Sequence, residues 1–184
     1  MPKDVDPRYF NSIDEATIQG GMRSAQNSFW ANERQLLKND ANERTLCGRF
    51  AFHLIGEFPR FDVDIEYNRN HAERDYRKKL WDRNAIRAIL EARGVPNLDE
   101  RQAQGERDGL IVLPDIIVHI RDQPVNLLII EAKKSSSRIS PDADRAKLDA
   151  LRRELEYRYA AFILFPTGAA ADRIGNGPDW FTFQ

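Results

Sequence analysis

The chain has 184 residues, enough for one domain with a proper core. Charged residues make up 31% and apolar residues 41%, which excludes a disordered polyelectrolyte. The net charge of −1 excludes global basicity as a route to nucleic acid, so any basic surface has to be local. The single cysteine, Cys47, cannot close an internal disulfide, which fits a reducing compartment. The three scattered histidines, His53, His71 and His119, argue against a zinc site of the usual spacing. The opening MPKDVDPRYF has no apolar signal core, and no apolar run approaches the ~18–20 residues of a membrane span, so a cytoplasmic protein is expected.

Residues 1–22 are polar and turn-prone and read as an N-terminal arm, with Gly20-Gly21 as its hinge. The rest, 23–184, reads as a single domain. Two helical patterns follow the arm. The first covers about 25–38, with Phe29, Trp30, Leu36 and Leu37 on one side. Asn39-Asp40 interrupts it. The second covers about 41–57, with Leu46, Cys47, Phe50 and Leu54 at helical spacing, and Phe58-Pro59 ends it. Phe61 to Tyr67 alternates apolar and acidic residues, the mark of a half-buried strand. A charged helical insertion is expected over about 69–96, its helix spanning His71 to Arg93, and the polar stretch 97–109 reads as a loop. Two β-branched runs come next, Leu110 to Ile120 and Val125 to Glu131, joined by a tight turn at Asp122-Gln123-Pro124. Leu127 to Ile130 lacks polar alternation, so that strand should be central and covered on both faces. Ser140-Pro141-Asp142 starts a helix carrying Leu148, Leu151 and Leu155. Tyr159 to Phe165 is a last buried strand, and Trp180, Phe181 and Phe183 should pack back on the domain. Without the insertion the order is αβββαβ, a mixed sheet flanked by helices.

The chemistry concentrates at the hairpin. With a three-residue turn at 122–124, Asp115 faces Glu131 across the ladder. Lys133, two residues beyond Glu131, points to the same face. A one-residue change in turn length would break that opposition. Two close carboxylates repel, and a hard divalent cation removes the conflict; all-oxygen ligands suit Mg²⁺ or Mn²⁺. A lysine beside them can orient the water, help deprotonate it when itself neutral, or as an ammonium neutralise developing negative charge. These parts suffice for phosphodiester hydrolysis.

Pro114-Asp115, followed by Glu131-Ala132-Lys133 after a hydrophobic strand, resembles the PD-(D/E)xK signature of restriction-endonuclease-like nucleases. The resemblance covers roughly 41–67 and 110–165. It implies an α/β fold with an αβββαβ core, and Mg²⁺ (Mn²⁺ may substitute) held by Asp115, Glu131 and the backbone carbonyl of Ala132. It also implies that Lys133 assists the attacking water. Many members carry a glutamate on the helix before the first strand; Glu43 is the best match, with Glu33 as its rival. Asp144-Arg145-Ala146-Lys147-Leu148 resembles the corresponding later helix of some members, which makes Lys147 a candidate for the site or for a phosphate.

Nucleic acid, DNA ahead of RNA, is the expected partner, and prokaryotic or phage-related defence or DNA processing the expected role. Lys134 adjoins the motif. The segment from Arg69 to Arg93 has eight Lys/Arg against four Asp/Glu, and Arg77, Lys78, Lys79 and Arg83 are its candidate phosphate contacts. Alternatively Trp81, Ile86, Ile89 and Leu90 form an apolar strip for a homo-oligomer or larger complex. Two competing functions stand beside the nuclease: a silent nuclease-like module binding nucleic acid or protein, and a nuclease subunit awaiting a partner or signal.

Overall fold

The computed structural model describes residues 5–67, 77–138 and 140–184. Its elements in chain order are α1 (Pro7–Ser12), α2 (Glu15–Lys38), α3 (Glu43–Glu57), β1 (Asp62–Ile65), β2 (Lys79–Leu80), α4 (Arg83–Ala92), α5 (Leu98–Asp108), β3 (Leu110–Ile111), β4 (Ile116–Ile120), β5 (Val125–Lys134), α6 (Asp142–Glu154), β6 (Tyr159–Phe165), α7 (Ala169–Ile174) and β7 (Phe181–Phe183). The protein is α/β, with one five-stranded mixed sheet in the order β1-β4-β5-β6-β7. Strands β1, β4 and β5 run antiparallel, β5 and β6 parallel, and β6 and β7 antiparallel. The parallel step needs a crossover, and α6 supplies it. Among the described residues no helix is long and apolar enough to cross a membrane.

The unbroken apolar run in β5 follows from its central place. Ile130 faces the core shared with α2 and α3, while Ile129 faces the core shared with α4 and α6. Alternation therefore carries Glu131 and Lys133 to the α6 side. Burying both faces of one strand removes polar positions from it, and each buried Leu or Ile contributes about 1.5–3 kcal/mol.

Several expectations change. The first 22 residues are no arm, as far as they are described. Asp14 caps α2 by accepting the N–H of Thr17 at 2.8 Å, and Ile18, Met22 and Ala25 are fully buried. Three apolar residues among polar ones hid the stripe. Gly20-Gly21 is no hinge either; both lie inside α2, and Gly21 lets Phe58 pack closely, since a Cβ there would sit 2.8 Å from its ring.

The expected helix over 71–93 is also revised. Residues 71–76, with Arg74 and the neighbouring Arg69, lie outside the described residues. Lys79 and Leu80 are extended, and the helix begins at Arg83, capped by Asp82 accepting the N–H of Ala85 at 2.8 Å. Its apolar strip is not an interface: Ile86, Ile89 and Leu90 are buried within the chain, and only Trp81 is exposed. The expected loop 97–109 is the helix α5. It buries little besides Gln102 and Gly105, so no apolar period announced it. Finally, the run 110–120 is two strands. Leu110 and Ile111 pair with β2 in a separate small sheet, and β4 starts only after Pro114, which has no N–H for a ladder.

The β4–β5 connection decides the site. The turn spans 121–124 rather than three residues, with Asp122 at φ 59°. Near the turn, His119 pairs with Asn126 and Ile120 with Val125. A bulge then absorbs Leu127, and Val118, Ile117 and Ile116 pair with Leu128, Ile129 and Ile130. The longer turn and the extra residue cancel. One more step along the ladder sets Asp115 across from Glu131.

Candidate active site

Asp115 stands just before β4, where the chain emerges from Pro114. Its backbone carbonyl accepts the N–H of Glu66 at 3.2 Å, which continues the β1 pairing past the strand end. Its carboxylate Oδ2 accepts the N–H of Ala132 at 2.8 Å. The aspartate is thereby tied to the middle residue of Glu131-Ala132-Lys133. Burial pushes the Asp115 carboxyl above its usual range; Lys147 and the Ala132 N–H act against this.

Glu131 is 1% exposed. Its Oε2 accepts from Lys147 Nζ at 2.8 Å, while Oε1 is buried with no hydrogen-bond partner among the described residues. Burial, reinforced by the charge of Asp115, pushes its carboxyl well above the ordinary value. Lys147 comes from α6 and also donates to the Leu113 carbonyl at 2.7 Å. Burial alone would drive this lysine toward neutrality, but Glu131 and Asp115 outweigh it and hold the ammonium protonated. Lys133 Nζ lies 2.5 Å from Asp144 Oδ2, also on α6.

Glu43 opens α3, whose cap is Asn42 accepting the N–H of Thr45 at 2.8 Å. Its Oε2 accepts the N–H of Lys134 at 3.2 Å, which grips the far end of the same strand. Burial, then the charge of Asp115, raises its carboxyl as well. Glu33 is spent elsewhere, on Arg49 Nε at 2.8 Å. The structure thus brings Glu43, and not its rival, to the strand ends.

A cavity of 330 Å³ lined by Asn42, Glu43, Arg44, Cys47, Glu66 and Asp115 opens on the carboxylate side. A second, of 200 Å³, opens between α4 and α6 beside Lys133 and Lys147. Among the described residues, no group of three or more His, Cys, Asp or Glu side chains gathers closely enough to hold a metal alone. Two carboxylates and a backbone carbonyl are the available donors. That set suits Mg²⁺, which keeps several waters. The partnerless Glu131 oxygen, buried near a second carboxylate, is the observation that fits a cation.

No protein-family model, curated protein or solved structure matches the chain.

The other expected contacts divide. Lys147 is no surface phosphate binder; it is buried inside the site, because its four-carbon stem reaches Glu131 from α6. Lys78 is buried too, its ammonium 4.9 Å from the centre of the Tyr67 ring, so it is not a surface contact. Burial lowers its pKa to about 8. Lys134 pairs with Asp40 at 3.0 Å. Arg77 and Lys79 line a different cavity, of 510 Å³, with Arg101 and Asp108. Arg83 is exposed and lies 3.4 Å from Glu106. His119 is a buried strand histidine bonded to Asp64 at 2.9 Å, and Cys47 is buried in the core.

Three participants were not assigned from sequence. Asp144 stands three residues before Lys147 on α6, a spacing that puts both on one helix face, so the Asp-x-x-Lys pattern held the signal. Glu66 takes a positive φ of 48° beside Asp115 and pairs with Arg44 at 2.9 Å. Nothing local in the sequence marks that turn. The Leu113 carbonyl is a backbone group and has no sequence signature.

Proposed function

We propose that the chain is a metal-dependent nuclease of the PD-(D/E)xK type that hydrolyses phosphodiester bonds, with DNA as substrate. In this reading α3, β1, β4, β5, α6 and β6 are its αβββαβ restriction endonuclease-like core. The observation that carries it is the meeting of Asp115, Glu131 and Lys133 at neighbouring strand ends, with one Glu131 oxygen buried and unpartnered.

Asp115, Glu131 and the Ala132 carbonyl are the groups that would hold Mg²⁺ or Mn²⁺. The ion supplies positive charge to a phosphoryl oxygen and makes water a better nucleophile. Asp115 fixes its carboxylate through the Ala132 N–H, so it loses little freedom on doing so. Lys147 holds one Glu131 oxygen and leaves the other free. Lys133 exchanges Asp144 for the substrate and attacking water; its ammonium orients the water and offsets charge developing on the phosphoryl group. Glu43 steadies the strand end through the Lys134 N–H. Prokaryotic or phage-related defence or DNA processing is the role proposed for such a nuclease, by analogy of fold.

The test is incubation with Mg²⁺ or Mn²⁺ and plasmid, linear duplex, single-stranded DNA and RNA. DNA cleavage that stops in EDTA and in Glu131→Ala supports the proposal. Cleavage that survives either change refutes it.

One observation favours a second reading, a silent nuclease-like module. Lys147 with Glu131, and Lys133 with Asp144, form pairs that neutralise one another without a metal. Nucleic-acid binding with no carboxylate-dependent uptake of Mn²⁺ would select this module.

A further inference from the structure

We propose that the cavity between α4 and α6 is a phosphate subsite for the strand being cut, with Arg93 as its clamp. This rests on the nuclease reading and adds where the substrate backbone lies.

The two cavities beside the catalytic groups differ in charge. The one reached from α3 is lined by Glu43, Glu66 and Asp115 against Arg44 alone, and Arg44 is paired with Glu66. It repels an anion and suits a cation. The one between α4 and α6 is lined by Ile89, Arg93, Lys133, Ser140, Asp144 and Lys147, among others. Lys133 is matched by Asp144 and Lys147 by Glu131. Cancelling those pairs leaves the guanidinium of Arg93. Among the described residues no carboxylate neutralises it.

That distinguishes Arg93 from Arg83, Arg87 and Lys78. Arg83 has Glu106, and Arg87 has Glu91 at 2.9 Å and Asp99 at 3.2 Å. Lys78 is buried. The backbone of Arg93 is also fixed. It caps α4, its N–H bonded to the Ile89 carbonyl at 3.1 Å, and Gly94 turns the chain away at φ 61°. Ile89 anchors that last turn in the core. An exposed guanidinium carried on that fixed backbone, lining the cavity, offers the planar fork that phosphate oxygens accept in pairs. Lys133 lines the same cavity from β5. With a cation offsetting the acidic cavity, the substrate backbone would run from there, past Lys133, to Arg93.

Steady-state cleavage of a labelled DNA duplex in Mg²⁺, with duplex binding in Ca²⁺, tests this on the full chain. The variants are Arg93→Gln, Arg93→Lys and, as control, Arg87→Gln on the same helix, where Glu91 and Asp99 already neutralise the guanidinium. Arg93→Gln should raise KM and Kd at least about tenfold, leave kcat within about twofold, and cut the salt slope of binding by about one. Arg93→Lys should fall between, keeping the charge without the fork. Arg87→Gln should change neither. Wild-type KM in Arg93→Gln, an equal loss in Arg87→Gln, or a fall in kcat alone overturns the subsite while the nuclease reading stands. A wild-type protein that neither binds nor cuts any duplex overturns both. Inorganic phosphate competing with the duplex equally in wild type and Arg93→Gln would also overturn it.

Discussion

Replacing Lys147 by methionine tests the interior of the site most sharply. The ammonium is buried and donates to two acceptors, Glu131 Oε2 at 2.8 Å and the Leu113 carbonyl at 2.7 Å. Methionine fills much of the same space but removes both donors. Glu131 would then be buried beside Asp115 with neither oxygen paired, and the Leu113 carbonyl would lose its partner. Breaking one side of a buried ion pair costs about 3–5 kcal/mol. Glu131 can protonate, which moderates the loss, so about 3 kcal/mol is expected. For a domain of this size that lowers Tm by roughly 10 °C. Replacing both partners, Lys147→Met with Glu131→Met, removes both buried charges and should restore most of the stability, because an apolar pair of similar volume is often as stable as the ion pair. The cycle should show coupling of about 2 kcal/mol or more. Urea unfolding of the four proteins without metal, at pH 7, gives every term. A Lys147→Met protein within about 0.5 kcal/mol of wild type, or single effects that simply add, would refute the buried pair.

Other outcomes follow from the same structure. Asp115→Asn should abolish cleavage yet raise metal-free Tm at neutral pH by a few degrees. The raised Asp115 carboxyl means that ionising it costs stability as pH rises from its usual range through the folded value, and asparagine keeps the acceptor for the Ala132 N–H. A lower Tm at pH 7 would contradict this. In α2, Gly20→Ala should stabilise by about 0.5–1 kcal/mol, having open space, while Gly21→Ala should destabilise by about 1–3 kcal/mol against the Phe58 ring; equal thermal shifts would disprove the close contact. Burial pushes the Asp64 carboxyl up, but hydrogen bonds from His119 and Arg121 outweigh it and hold the group well below the carboxylate range. Its stabilisation is present above that range and lost as pH falls through the folded value. Asp64→Asn should therefore cost about 1.5–3 kcal/mol at pH 7 and narrow its gap to wild type on acidification; a gap constant with pH would refute the assignment.

Much of the fold was legible because its signals are periodic. The stripe Leu46, Cys47, Phe50 and Leu54 fixed α3, and the apolar run of β5 placed it at the sheet centre. What escaped lacked a period or depended on tertiary contacts. α5 has almost no apolar face, and α2 starts among polar residues whose few apolar members pack from afar. The opposition of Asp115 and Glu131 rested on a turn length that was wrong by one residue. The bulge at Leu127 restores the register, and no local signal in the sequence announces a bulge. Lys147 was legible as a member of the site but not as a buried one, since burial depends on how closely α6 lies over β5.

The central claim is that Asp115 and Glu131 together hold a cation. Calorimetric titration of the purified protein with Mn²⁺ at pH 7.5, in wild type and in Asp115→Asn, measures it directly. One site per chain in wild type, weakened at least about tenfold or lost in the variant, is the expected result. Wild type and variant binding Mn²⁺ alike, or wild type not binding it at all, would contradict the account.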